Sequence, residues 1–171
     1  MAPSHQKRTH ENVSAFRSVS EAMIAVLERS NDAAATHAPA DGAWTAAQIG
    51  YHVAITDDFL AGILTGSIPK SVPAPSGFQE NPNVFAGVPA KITTFEALEP
   101  PAGMTRAEAV AKLRESTAQA VKAIEGLSED RASGHVVEFP FGKITLYQLS
   151  EFLGGHVLRH QQQLQRALAS V

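Results

Sequence analysis

Three of the seven histidines fall on apolar stripes with the period of a helix. His52 stands three residues after Ile49 and four before Thr56; His156 stands four after Phe152, and His160 stands four after His156 and four before Leu164. Residues four apart on a helix share a face. His156 and His160 therefore project together, and His52 projects inward from a second helix. A neutral imidazole is a good ligand for a divalent metal, and an i,i+4 pair suits a grip on one ion. Two ligands from one helix and a third from another leave at least one coordination position open, which is the arrangement of a catalytic site more than of a closed structural one.

The competing reading is a set of core histidines bonded to one another or to water. An unpartnered buried polar group costs roughly 1–3 kcal/mol, and a shared ion would compensate all three rings. The other histidines read differently. His5 and His10 belong to the polar N-terminus and His37 to the end of the first helix, all three as solvated residues, while His135 lies in an extended segment and is ambiguous. Gln163, one turn beyond His160, and Thr56, one turn beyond His52, are candidates to orient a ligand or water, against the plainer reading of helix surface residues. Tyr147, Asp57, Asp58 and Glu151 are expected off the histidine faces, so no general base is nominated.

Several chemistries are excluded by missing motifs. Val157, Leu158 and Arg159 separate the paired histidines, so the Glu of His-Glu-x-x-His is absent and a zincin-type protease is disfavoured. No Glu-x-x-His occurs, which argues against a di-iron carboxylate site. The chain has no Gly-x-Ser-x-Gly elbow, no Gly-x-x-x-x-Gly-Lys loop and no Gly-x-Gly-x-x-Gly. It also has no cysteine, which removes disulfides, thiolate ligands and Cys nucleophiles.

Positioning these histidines requires long helices. Thr45-Ala-Ala-Gln48, Thr105-Arg-Ala-Glu108 and Thr145-Leu-Tyr-Gln148 each match the capping box, in which the Thr hydroxyl and the residue three further on satisfy each other's backbone N–H groups. Each precedes an apolar stripe with spacings of three and four: Ile49, Val53, Phe59, Leu60, Ile63; then Val110, Leu113, Val121, Ile124, Leu127; then Leu146, Leu149, Phe152, Leu153, Val157, Leu164, Leu168. Val13, Phe16, Val19, Met23, Val26 and Leu27 form a further stripe before them. These spans predict helices near 9–36, 45–65, 105–127 and 145–169. Seven of the ten prolines lie between residues 66 and 104, which bars a long helix there. That stretch reads as one long connection, with a helical turn around Val84–Leu98. His135–Phe141 has strand character. An all-α, four-helix-bundle fold is the economical assembly. A short link between the first two long helices makes them antiparallel neighbours, and the long one permits an up-down-down-up order.

The chain's 171 residues suit a single domain over 1–171. Hydrophobic residues make up 44% and charged residues 18%, a globular and not a disordered composition. A net charge of -3 argues against nucleic-acid binding through a broad cationic face. No apolar run approaches the roughly 18–20 residues of a membrane span, and no signal-peptide core is present, so no membrane association and a cytoplasmic location are expected.

The chain resembles the DinB/YfiT-like family from about Val13 to Leu168. The likeness rests on Trp44–His52 (WTAAQIGYH), Glu99–Thr105 (EPPAGMT), Phe139–Thr145 (FPFGKIT) and His156–Leu164 (HVLRHQQQL). The resemblance implies an up-down-down-up bundle and a homodimer. It also implies a divalent metal held by one histidine of the second long helix and the His-x-x-x-His of the fourth, here His52, His156 and His160. Family members look like thiol S-transferases using low-molecular-weight thiols, a thiol-dependent isomerase, or metal-dependent hydrolases. A three-His site carries no ligand charge, so an ion there lowers the pKa of a water toward about 7 or deprotonates a thiol. Any thiol must come from an external small-molecule cosubstrate. Zn, Ni, Fe and Mn all suit three imidazoles. A non-catalytic metal- or ligand-binding bundle is the alternative.

Overall fold

The computed structural model describes residues 3–89 and 94–170, and residues 90–93 of the long connection lie outside the described part. The fold is mostly helical. The first stripe forms α1 (His5–Arg29), which starts before residue 9 because the Ser4 side chain accepts from the Lys7 N–H at 3.3 Å. It ends at Ser30, whose extended ψ of 156° stops the helix while its N–H bonds back to Val26 and Leu27. Asn31 then caps a separate short helix, α2 (Asp32–Thr36). The single helix expected over 9–36 is thus two, broken where Ser-Asn-Asp offers side-chain caps that compete with helix continuation.

The three capping boxes all form. They open α3 (Ala46–Thr65), α4 (Arg106–Glu125) and the last helix, each with the Thr hydroxyl and the third residue engaged reciprocally. Between α3 and α4 the connection holds a short strand, β1 (Val72–Pro73), and two 3-10 turns, Val84–Gly87 and Glu96–Leu98. After α4 come α5 (Glu129–Gly134), β2 (His135–Phe139), β3 (Gly142–Thr145) and α6 (Leu146–Ala169).

The fold is largely all-α as expected, with one small sheet beside the helices. β2 pairs antiparallel with β3 through a tight hairpin, with Val137 opposite Ile144 and Phe139 opposite Gly142. β1 adds to the far edge, with Val72 opposite Val136. Val136 and Ile144 are fully buried, so the hairpin contributes to the core instead of serving only as a lead-in.

Most stripe residues are in that core. Phe16, Met23, Leu27, Ile49, Ile63, Leu113, Ile124, Leu149 and Leu153 are essentially inaccessible. Burial of each such large side chain contributes roughly 1.5–3 kcal/mol. α3 and α4 approach closely, helped by small residues: a Cβ on Gly50 would come within 2.7 Å of Leu27 and 3.2 Å of Leu113. α1 packs chiefly on α4 and α6, as does α3, while α1 and α3 touch only lightly despite the short link between them. Arg17–Glu125 (3.9 Å) and Arg114–Glu28 (2.5 Å) run α1 against α4 in opposite directions. Arg8–Glu151 (2.7 Å) and Asn12–Ser150 (2.6 Å) bring the start of α1 to the start of α6.

The Pro-rich connection is pinned near its middle and near its C-terminal end by residues of the capping boxes. Gln148 donates to the Asn81 carbonyl at 2.8 Å, and Gln48 donates to the Pro101 carbonyl at 3.2 Å. Glu80 takes two hydrogen bonds from Arg8 and one from Thr145. These contacts hold the connection across the face of the helices that carries the three histidines.

Candidate metal centre

His52 projects from the second turn of α3, and His156 and His160 project from the middle of α6. The three rings meet. Their centroids are 5.6 Å apart for His52–His156, 4.8 Å for His52–His160 and 4.5 Å for His156–His160. Taking one nitrogen from each, the three donors lie within 4.8 Å of one another. Bonds of about 2.0–2.2 Å to a shared ion span at most about 4.4 Å between donors, so the rings stand close to bridging distance.

Hydrogen bonds set two of the three tautomers. The Nδ1 of His52 lies 2.8 Å from the Leu98 carbonyl, which can only accept. The Nδ1 of His160 lies 2.8 Å from Oε1 of Gln163, again an acceptor. Both rings therefore carry their proton on Nδ1 and keep a lone pair on Nε2. Outer partners of this kind orient metal-binding histidines. Gln163 thus touches His160 directly. The Nδ1 of His156 is buried without a partner, an orphaned polar atom of the kind that ring coordination would compensate.

The rings are held neutral. Burial pushes the His52 imidazole below its ordinary pKa, only partly opposed by the Leu98 carbonyl. Burial does the same more strongly to His156, with further lowering from His160 and His52. His160 is lowered to about 4 by burial and by His52. A neutral imidazole is the form that binds a metal.

The histidines form one wall of a cavity of about 360 Å³. Phe59 and Leu60 of α3 and Phe152 and Gly155 of α6 contribute to it, and Phe139 of β2 extends it. Phe85, Val88, Thr94, Phe95 and Leu98 come from the connection. Phe59 and Phe152 are only partly buried in the core because they face this space.

The connection's share of the site was not anticipated from the residues. Its length and its Phe85, Val88, Phe95 and Leu98 were the available signal, since a long loop inside a compact domain is usually functional. Glu151, expected off the histidine faces, lines the cavity. Its Oε1 accepts from Arg8 at 2.7 and 2.9 Å, and Arg8 also lies over the Tyr147 ring at 4.3 Å. Arg159 lines the same space and donates to the Pro89 carbonyl at 2.9 Å. Thr56 lines it too, its hydroxyl buried without a hydrogen-bond partner.

The remaining candidates stand apart. Asp57 is fully buried with neither carboxylate oxygen bonded, and burial followed by the neighbouring Asp58 holds its pKa well above the usual range. Asp58 pairs with Lys112 at 2.7 Å. His5 is half-buried and shares a hydrogen bond of 2.5 Å with the Tyr147 hydroxyl, so it is not the solvated residue expected. His10 and His37 are exposed, and His135 starts β2 with its Nδ1 buried and unpartnered.

Comparison with curated proteins and with solved structures gives no match. A family model described as the DinB superfamily matches residues 15–164, a span that contains all three converging histidines and most of the cavity's lining. The chain belongs to the DinB superfamily.

Proposed function

We propose that this protein is a metal-dependent enzyme of the hydrolase or thiol S-transferase type, with His52, His156 and His160 as the ligands of one divalent ion. The observation that carries the reading is the pair of fixed tautomers. Leu98 and Gln163 accept hydrogen bonds from the Nδ1–H groups of His52 and His160, leaving two Nε2 lone pairs beside the half-buried His156 ring. A divalent ion held there supplies Lewis-acid chemistry, lowering the pKa of a water or thiol in its open position. The chain's own residues do the rest. The histidines present three uncharged donors, so they leave the ion's charge undiminished. The phenylalanines make much of the cavity's lining apolar, so charge there is less screened than in open water. With no cysteine in the chain, a thiol nucleophile comes from an external low-molecular-weight cosubstrate.

The architecture proposed with this reading is an up-down-down-up four-helix bundle. The ion pairs that set α1 against α4, and those that bring the first turns of α1 and α6 together, support it. A homodimer is proposed on family grounds, and light scattering that finds only monomer at micromolar concentration would contradict it. No described helix is long and apolar enough to cross a membrane.

The second reading, a non-catalytic metal- or ligand-binding bundle, is favoured by one contact: the only carboxylate lining the described cavity, Glu151, is engaged in an ion pair with Arg8. Two measurements separate these readings. Elemental analysis of untagged protein, purified without added metal, tests for the ion. Turnover of an electrophile with a panel of thiols, and with water alone, tests for catalysis. A stoichiometric metal without turnover leaves the second reading standing, and no bound metal overturns both metal readings.

A further inference from the structure

The chain has eight phenylalanines, and five of them line one cavity: Phe59, Phe85, Phe95, Phe139 and Phe152. The rings are mutually arranged. Phe152 lies 6.0 Å from Phe85 and 5.6 Å from Phe139, centroid to centroid, and 6.1 Å from His156. An aromatic wall thus runs directly up to the histidines. The charged groups on this cavity are already engaged, Glu151 by Arg8 and Arg159 by the Pro89 carbonyl. A charged ligand group would give up its hydration to a lining that is otherwise mostly aromatic and aliphatic.

The rim of the cavity contains an exposed residue with no side chain. Gly154 and Gly155 sit in the middle of α6, where glycine weakens a helix relative to alanine. Packing accounts for Gly154, since a Cβ there would meet the Phe16 backbone at 3.7 Å. Packing does not account for Gly155. A Cβ built on it meets nothing within 4 Å, yet it lines the cavity next to His156. A side chain at a helical position covers the turn N-terminal to it. At position 155 it would lie over Glu151 and Phe152, at the mouth of the cavity.

We propose that this cavity receives an uncharged aromatic group of the substrate, and that Gly155 is the specificity-determining residue that leaves room for it. The proposal rests on the cavity being the substrate site beside the three histidines. Its volume of about 360 Å³ lies toward the small end of ligand pockets, roughly 300–1,000 Å³. Offset and edge-on contacts with the five rings would hold a flat group.

The test uses two dyes with the same ring skeleton. N-phenyl-1-naphthylamine is neutral, and 1-anilinonaphthalene-8-sulfonate adds a charge. Fluorescence titrations are run on the wild-type protein and on Gly155→Leu, with metal content and unfolding midpoint measured on the same samples. On a metal-stripped portion of each sample, where no ion draws the sulfonate in, the neutral dye is expected to bind saturably and the sulfonate at least about tenfold more weakly, a difference of roughly 1.4 kcal/mol. Gly155→Leu is expected to keep the metal content, hold or raise the midpoint, and weaken the neutral dye by about tenfold or more. Equal affinity of wild type and variant for the neutral dye, or equal affinity of both dyes for wild type, overturns the proposal. Should the leucine variant not fold, Gly155→Met is judged by the same criteria. A wild-type protein that binds the neutral dye but no metal supports this inference and sinks the metal reading. One that holds the metal and leaves the dye free does the reverse.

Discussion

Acidification should destabilise the metal-free protein before the carboxylates titrate, and the imidazole of His160 sets the scale. Its pKa is 6.5 in a model compound and about 4 in the fold, where burial and the adjacent His52 oppose its charge. Below pH 6.5 the unfolded chain takes up this proton and the folded protein does not. Stability is therefore full above the unfolded value and falls as pH drops toward the folded one. At 1.36 kcal/mol per pKa unit, the loss from this ring alone is about 2 kcal/mol by pH 5 and about 3 kcal/mol by pH 4. His52 and His156 shift in the same direction and add to the slope. Asp57 opposes it, because a carboxyl held neutral by burial favours the fold as pH falls. The contribution of His160 is isolated by comparing urea unfolding of wild type and His160→Gln, both in EDTA, at pH 7.5, 6, 5 and 4.5. The variant should lose less stability than wild type by about 2 kcal/mol at pH 5. Parallel curves for the two proteins would refute a buried, neutral His160.

Three further outcomes are expected. Each of His52→Ala, His156→Ala and His160→Ala should lose stoichiometric metal, read by elemental analysis, while circular dichroism keeps the helical signal. Wild-type metal content in all three would sink the site. Asp57→Asn should steepen the loss of stability on acidification toward about pH 4, because it removes a carboxyl whose raised pKa opposes that loss, and an unchanged slope in denaturant midpoints would contradict the burial argument. Gln48→Glu should preserve the capping box yet lose the bond to the Pro101 carbonyl, a change of about 0.5–1.5 kcal/mol. Hydrogen exchange around residues 98–104 should then accelerate, and wild-type protection there would show that the bond does not hold the connection.

The helices were legible because their signals are local. Thr45, Thr105 and Thr145 each close a box with a residue three positions away, so the sequence window that contains the cause also contains the effect. The histidine cluster was legible for a related reason: helical spacing gives the inward direction of His52, His156 and His160 without knowledge of what they meet. The rest depends on contacts across the chain. Glu151 enters the cavity because Arg8, in a helix 143 positions away in sequence, draws it toward Glu80. Ser30 breaks the first helix through a local cap that the apolar stripe masks. β1 exists only because β2 offers it an edge, and a stretch with Pro69, Pro73 and Pro75 carries no strand periodicity of its own.

The connection is also where fold and site join. Gln48 and Gln148 satisfy a backbone N–H at their helix starts with the amide oxygen and grip the connection with the amide nitrogen. Glu108, at the equivalent position of the middle box, has no donor to offer, and no contact of this kind ties the connection to α4 there. The choice of Gln over Glu at two boxes is therefore a choice about the connection, since either residue caps a helix equally well. Pro101 lies three residues from Leu98, whose carbonyl fixes the tautomer of His52. The helix cap of α3 and the tautomer of His52 thus depend on one short backbone segment.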